Sequence, residues 1–254
     1  MRCTDEWQPS KFVLRGGRLR ASTNAHAVGV GSWLITDLTA ACYWNARNQL
    51  RRGAVLDLGC GTVPLYPVYA DVAESVWCLD WPGSLHERKH VDCFADLNRG
   101  VPLVDRSFDT VILSDVLEHI YEHRALMREI GRVLKPGGVL IMNSPFLYRI
   151  HEAPNDHFRY TEFALRRMTA EAGLNIVLLE PVGGVLEVFT DIVAKMLARL
   201  PVLGGALANA MQRMTSMLGH WSFARRARLR TGSVFPLAYF VVARRRTDPT
   251  ARVS

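Results

Sequence analysis

In the stretch "AVLDLGCGTVP", residues 54–64, three residues have types and spacing suited to holding a ligand. Asp57 lies in an apolar run, and Gly59 and Gly61 follow it with Cys60 between them. Glycine lets a backbone approach a ligand closely and take dihedrals that side chains resist. In an open parallel sheet, ligands bind beyond the carboxyl ends of the strands, which is where these glycines would fall. A dinucleotide loop needs G-x-G-x-x-G around a pyrophosphate. Here the register ends in Pro64, and the Asp57 charge would face the pyrophosphate. A cationic ligand suits that carboxylate better.

A second concentration of chemistry is "PFLYRIHEAPNDHFRYT", residues 145–161, with His151, Glu152, Asp156, His157, Arg159 and Tyr160. That is more titratable and aromatic material than a plain connection needs. The alternative reading is a local brace, in which Asp156, Arg159 and Thr161 hydrogen-bond to one another and cap the next helix. Elsewhere, His119 and His123 stand four residues apart, a spacing that can hold a metal on a helix face. With Glu122 and Arg124 beside them, a solvated charged face is the simpler expectation, and no metal is expected.

These residues need a scaffold, and the pattern supplies one. Apolar residues recur at helical spacing over 33–52, and Gly53 follows as a stop. Strands are expected at 54–59, 75–81, 90–96, 108–116, 139–145, 175–182 and 235–245. Helices are expected at 64–74, 122–134 and 161–173, the last with Thr161 as N-cap and Gly173 as stop. "KPGG" at 135–138 reads as a turn, Pro145 as a strand terminator, and "RGGRLR" near the N-terminus as loop. The run "FDTVILSDV" is apolar throughout, as a strand buried on both faces should be. Alternation of this kind implies an α/β fold, a Rossmann-like, mostly parallel seven-stranded sheet with helices on both faces. The segment 183–233 breaks the alternation. It reads as two amphipathic helices split at Pro201 and Gly204–Gly205, then a basic stretch: a cap, lid or dimer contact. The expected organisation is therefore an N-terminal segment and helix (1–52), a core (53–182), the helical insertion (183–233), a last core strand (234–246) and a disordered tail (247–254).

"VLDLGCG" resembles motif I of the class I S-adenosylmethionine-dependent methyltransferases, and the resemblance extends over most of residues 50–180. "FDTVILSDVLEHI" and "RVLKPGGVLIMNSP" are similar to the family's fourth strand and fifth-strand region. One departure is Val63, where many members carry a third glycine. The resemblance implies that S-adenosylmethionine is held by Asp57, Gly59, Cys60 and Gly61, with the ribose hydroxyls on Asp80 beside Trp81. It implies that Asp96 and Leu97 meet the adenine, and that Ser114 and His119 shape the pocket. Residues 145–161 resemble the "H-E-x-P-x-D-x-x-R-x-T" segment of a subgroup associated with polysaccharide and secondary-metabolite pathways. Methyl transfer is an in-line displacement at a sulfonium methyl, so the protein must align the acceptor, exclude water and, for a hydroxyl, take a proton. His151 is the expected base or acceptor positioner, with Asp156 orienting a histidine and His157 as second candidate.

Composition narrows the class. The 254 residues are 49% hydrophobic and 22% charged, ordinary for a globular chain with one sizeable core. Five cysteines with no C-x-x-C pair speak against a disulfide framework or zinc ribbon. "MRCTDEWQPSKF" has no apolar core of a signal peptide, so a cytoplasmic protein is expected. Residues 199–254 hold ten arginines and one acid, which leaves residues 1–198 at a net charge of −2 within a total of +7. Asp191, Lys195 and Arg199 interrupt the first inserted helix, so it is not a transmembrane span. Apolar helices beside "RRARLR" suit an anionic interface, which makes peripheral lipid contact through 183–230 an expectation beside a homodimer. The leading expectation is O-methylation of a small molecule or glycan. Alternatives are N- or C-methylation, an RNA or protein methyltransferase using the basic region, and a non-catalytic partner subunit. No nucleic-acid module is recognisable.

Overall fold

The computed structural model describes residues 1–84 and 87–247. The chain opens with a hairpin, β1 (Phe12–Arg15) and β2 (Arg18–Ala21), where a loop was expected. Gly16 and Gly17 join the strands with φ of 57° and 68°, the two left-handed residues of a tight hairpin turn. The alternation Phe12 in, Val13 out across Leu19 in, Arg20 out was the available signal.

Helix α1 (Trp33–Ala46) leads into the sheet. The strands follow as β3 (Gly53–Leu58), β4 (Ala73–Asp80), β5 (Cys93–Phe94), β6 (Phe108–Ser114), β7 (Leu134–Pro145), β8 (Leu174–Val182) and β9 (Ala238–Arg245). Between them lie α2 (Tyr66–Tyr69), α3 (His123–Val133) and α4 (Glu162–Glu171). The sheet has seven strands in the order β5-β4-β3-β6-β7-β9-β8. Neighbours from β5 to β7 are parallel, and β9 alone runs antiparallel, between β7 and β8. "KPGG" is a bulge within β7: Leu134 pairs with Phe108, then Val139 with Thr110. The expected helix 64–74 shrinks to one turn, and the expected strand 90–96 to two residues.

Side chains alternate across the central strands, as a two-period demands. Leu56, Leu58, Val111, Leu113, Leu140 and Met142 face α3 and α4, while Val55, Ile112, Val139 and Ile141 face α1 and α2. Thr161 caps α4 by accepting the Ala164 amide, and Gly173 ends it with φ 74°.

The segment between β8 and β9 forms three helices, α5 (Val185–Leu197), α6 (Gly204–Leu218) and α7 (Ser222–Gly232), not two. The basic stretch is itself α7, anchored by Arg228 on the buried Glu187 at 2.7 Å. Buried Gln212 of α6 accepts the Leu34 amide at 3.0 Å and so caps α1 from outside the core. Among the described residues no helix is long and apolar enough to cross a membrane. The expected disordered tail, Thr247 aside, lies outside the described residues.

Candidate functional site

The parallel strands β3 and β4 end side by side, with Leu58 opposite Leu79, so the glycine loop and Asp80 emerge together. Gly59 has φ 67°, and a Cβ there would stand 2.4 Å from Val116 Cγ2. Only glycine fits that position, because both the dihedral and the space exclude a side chain. Gly61 also has positive φ, at 50°. Val63 adopts φ 54° while fully buried, so the loop keeps a left-handed residue at the position where the sequence departs from three glycines. Its carbonyl is held by Trp7 Nε1 at 3.0 Å.

Asp57 is buried, and its Oδ2 accepts from Tyr69 Oη at 2.9 Å. Burial pushes its carboxyl up to about 7 against the opposing Tyr69 hydrogen bond, with nearby Asp80 adding to the rise. Asp80 ends β4. Its Oδ1 accepts the Trp81 amide at 2.8 Å, but its buried Oδ2 has no hydrogen bond. A buried carboxylate oxygen without a protein donor is open to one from water or a ligand. Paired hydroxyls would satisfy it, so the residues present fit a ribose beside an amine or sulfonium. Trp81 is exposed and lies against Gly83. Asp96 caps the 3-10 turn Leu97–Arg99 through the Asn98 amide at 3.0 Å, and Leu97 is buried under it. Cys60 is buried behind the loop.

One strand further, Asp115 follows β6 with φ 53° and joins a network that the sequence did not signal. Its Oδ2 pairs with Lys11 at 2.6 Å and its Oδ1 accepts from Asn143 Nδ2 at 2.5 Å. Asn143 Oδ1 in turn accepts from Ser114 Oγ at 2.9 Å and from Tyr43 Oη at 2.7 Å. Lys11 precedes the unforeseen hairpin, so its role required that hairpin to be seen first. The network floors a cavity of about 550 Å³, whose walls are α1, the end of β7 and the loop carrying Tyr148, His151 and Glu152. The helical insertion reaches this wall: Lys195 Nζ of α5 stands 3.7 Å from the Tyr148 ring centroid.

His151 therefore lines the cavity, whereas Asp156 and His157 do not. His157 is exposed and packs edge-on against Tyr121. Asp156 forms the expected brace, bidentate with Arg159 at 2.5 and 2.7 Å, and it also accepts the His151 amide at 2.9 Å. Burial opposes its charge, but Arg159 and that amide outweigh it and hold the carboxyl below its ordinary range. Both His151 ring nitrogens are faced by carboxylates, Nδ1 by Asp156 Oδ2 at 3.3 Å and Nε2 by Glu118 Oε1 at 3.7 Å. His119 Nδ1 donates to the Asn155 carbonyl at 2.9 Å, which ties the turn after β6 to the loop after β7. His123 instead packs edge-to-face against Phe158 and Tyr160, so the His119–His123 spacing brings no pair of ligands together. The ligand atoms that do converge belong to Glu118, His119 and His151, within 4.8 Å of one another. Glu118 is fully buried, and it was hidden in the sequence because "LEH" names it only as a neighbour of His119.

A probable S-adenosylmethionine-dependent methyltransferase of Mycolicibacterium smegmatis is 31% identical over 155 residues, 55% of this chain and 59% of the relative. A demethylmenaquinone methyltransferase of Paenarthrobacter aurescens is 33% identical over 123 residues, 46% of this chain and 47% of the relative. The chain thus spans less than two thirds of the length of these curated relatives. Among solved structures, the [4+2]-cyclase SpnF superposes with a TM-score of 0.55 at 19% identity, over 89% of this chain and 86% of that one, a likeness of fold. The family described as "Methyltransferase domain" matches residues 56–142. That match starts in the strand before the glycine loop and ends in the strand beneath the histidine loop, so residues 56–142 of this chain are similar to the methyltransferase domain across the cofactor half of the sheet.

Proposed function

We propose that the chain moves the methyl group of S-adenosylmethionine to an oxygen of a small molecule seated in the 550 Å³ cavity. The C–S bond of the sulfonium breaks as the C–O bond forms, S-adenosylhomocysteine leaves, and the acceptor's hydroxyl proton passes to solvent water. Asp80 Oδ2 takes the ribose hydroxyls, Asp96 and Leu97 border the adenine, and Asp57 with the Gly59–Gly61 backbone accommodates the cationic end. The observation that carries the reading is the cavity itself. It opens at the strand ends and combines Ile35, Thr36 and Thr39 of α1 with a polar floor and His151, the acceptor-side imidazole. The demethylmenaquinone methyltransferase relative supports an acceptor that is small rather than macromolecular. The test is isotope transfer from methyl-labelled S-adenosylmethionine to a panel of phenols, quinols and sugars, with products identified by mass spectrometry. Label on nitrogen or carbon would redirect the chemistry, and label on RNA or protein alone would sink the small-molecule reading.

The Asp57 carboxyl gives a pH signature. Its folded value, about 7, lies above the ordinary 3.8, so the stability that the protonated carboxyl gives the ligand-free fold is full below about pH 4 and is lost as the pH rises to about 7. The cationic cofactor favours the ionised form. From about pH 4 to pH 7, the ligand-free protein is expected to lose thermal stability relative to Asp57→Asn, and cofactor affinity to rise up to about pH 7. Parallel melting and calorimetric profiles of the two proteins check both signs, and identical profiles would remove Asp57 from the site.

The helices α5–α7 carry a further part of the proposal. Phe189, Ile192, Met196, Leu203 and Trp221 are more than half exposed, and Val202 is 98% exposed. Arg225, Arg226 and Arg230 are exposed on α7. Apolar side chains beside free cations suit an anionic lipid surface. Co-sedimentation with anionic but not zwitterionic vesicles, weakened by salt and by Val202→Asp, is expected. A salt-insensitive dimer that buries these helices would assign them to a second copy instead.

A further inference from the structure

We propose that Glu118, His119 and His151, with Glu152 beside them, form a site for one first-row divalent metal ion in the wall of the acceptor cavity. Glu118 and His119 sit in the 3-10 turn Leu117–His119 that follows β6, and His151 sits in the loop that follows β7. Because β6 and β7 are neighbours in the sheet, these two loops are held face to face. The Glu118 carbonyl fixes their spacing by accepting the amides of His157 and Phe158 at 2.9 and 3.2 Å.

The Glu118 side chain has no solvent exposure, and neither carboxylate oxygen makes a hydrogen bond. A buried carboxylate is tolerated when it is paired or coordinates a metal. What faces it supplies no donor. His119 Nδ1 bonds a carbonyl, so Nδ1 carries the proton and Nε2 presents a lone pair. That Nε2 is buried, without a hydrogen bond, 3.9 Å from Glu118 Oε1. His151 stands differently: its Nδ1 is buried without a hydrogen bond, 3.3 Å from Asp156 Oδ2, and its Nε2 points at Glu118 Oε1 from 3.7 Å. The two rings stand 4.8 Å apart, edge to face. Three potential ligand atoms therefore converge, all within 4.8 Å of one another.

One proton placed among them would satisfy a single contact, and gaps of 3.7 and 3.9 Å are too long for hydrogen bonds. They are close to what a cation needs. With bonds of ~2.0–2.1 Å, tetrahedral ligand atoms stand about 3.3 Å apart, a distance that small side-chain rotations would reach. The surroundings also match. Ligating histidines characteristically give their other ring N–H to a carbonyl or carboxylate; His119 does so to the Asn155 carbonyl, and the Asp156 carboxylate, fixed by Arg159, stands 3.3 Å from His151 Nδ1. Glu152 Oε2, 3.9 Å from His119 Nε2, is placed to become a fourth ligand. Two imidazoles with carboxylates favour zinc, manganese, iron or cobalt over calcium, magnesium or copper(I). His151 and Glu152 both line the cavity, so an open coordination position would meet an acceptor oxygen. That role rests on the function proposed above, but the binding site does not.

The test uses the full chain, stripped with chelator and titrated with Co²⁺ as a spectroscopic probe, then with Zn²⁺ and Mn²⁺ by dialysis and elemental analysis. The expected result is one ion per chain, ligand-field bands that report nitrogen ligands, and affinity reduced about 100-fold in Glu118→Gln and in His151→Ala. If the buried Glu118→Gln variant fails to fold, His151→Ala, at a half-buried position, carries the test, with circular dichroism and S-adenosylmethionine binding as controls of folding. A folded wild type that takes up no ion at millimolar concentration overturns the proposal, as does undiminished affinity in His151→Ala. Metal bound as expected by a chain that methylates nothing would support the site and count against the proposed function alone.

Discussion

Replacing Asp80 with alanine is expected to weaken S-adenosylmethionine binding by 100-fold or more without lowering the melting temperature of the ligand-free protein. The two halves of that expectation come from the two oxygens. Oδ1 serves the fold by accepting the Trp81 amide, while Oδ2 is buried with no partner. A ribose would bring two hydroxyls to the carboxylate, and hydrogen bonds to a charged group contribute about 1.5–3 kcal/mol each. Together they convert to at least two orders of magnitude in affinity. The ligand-free protein, by contrast, loses one amide bond and is relieved of a buried charge with an empty acceptor. Calorimetric titration and thermal melts of wild type, Asp80→Asn and Asp80→Ala would separate the two halves. Full affinity in the alanine variant would move the cofactor away from β4 and overturn the site as drawn.

The second large effect is expected at His151. Its alanine variant should lose about 100-fold or more in kcat, the range for removal of a group that positions or activates an acceptor, and keep cofactor affinity within about threefold. The separation follows from the sheet. Asp80 ends β4 and His151 follows β7, with β3 and β6 between them. Three strand spacings of ~4.8 Å put about 14 Å between the two strand ends. A split in which kcat falls and cofactor binding holds would place His151 on the acceptor side. Equal loss of both would make it part of the cofactor pocket. His157→Ala removes a ring that stands outside the cavity, and a smaller loss is expected there.

The strands were legible because their apolar runs are short, continuous and separated by helical periods. The glycine loop was legible because Asp57, Gly59 and Gly61 sit within five residues. Even Val63 obeyed the pattern in backbone while breaking it in residue type: its neighbours impose a positive φ on a side chain that resists one. The hairpin was passed over because arginines mask its alternation, although Gly16–Gly17 signals such a turn. Helix α7 was hidden for a related reason, since its arginines dominate the composition and Ala224 is one of only two residues it buries. The meeting of Glu118 with His151 could not be read at all. They lie far apart in sequence, and only the pairing of β6 with β7 brings their loops into contact. Lys11 belongs to the same class, because its partner Asp115 is over one hundred residues away.

Strand β9 imposes an order on the birth of this protein. Among the described residues, β8 has no sheet neighbour except β9, and the outer edge of β7 is filled only by β9. On a ribosome, β8 emerges well before Ala238–Arg245, and the arginine-rich helices come between. At 5–20 residues per second, that interval is on the order of 3–13 s. Throughout it, β7 shows an open row of backbone donors and acceptors, the kind of edge that recruits strands from other chains. The nascent chain therefore passes through a window in which its own last strand competes with strangers for the same hydrogen bonds. A chaperone that shields β7 during those seconds is expected to raise the yield of soluble protein.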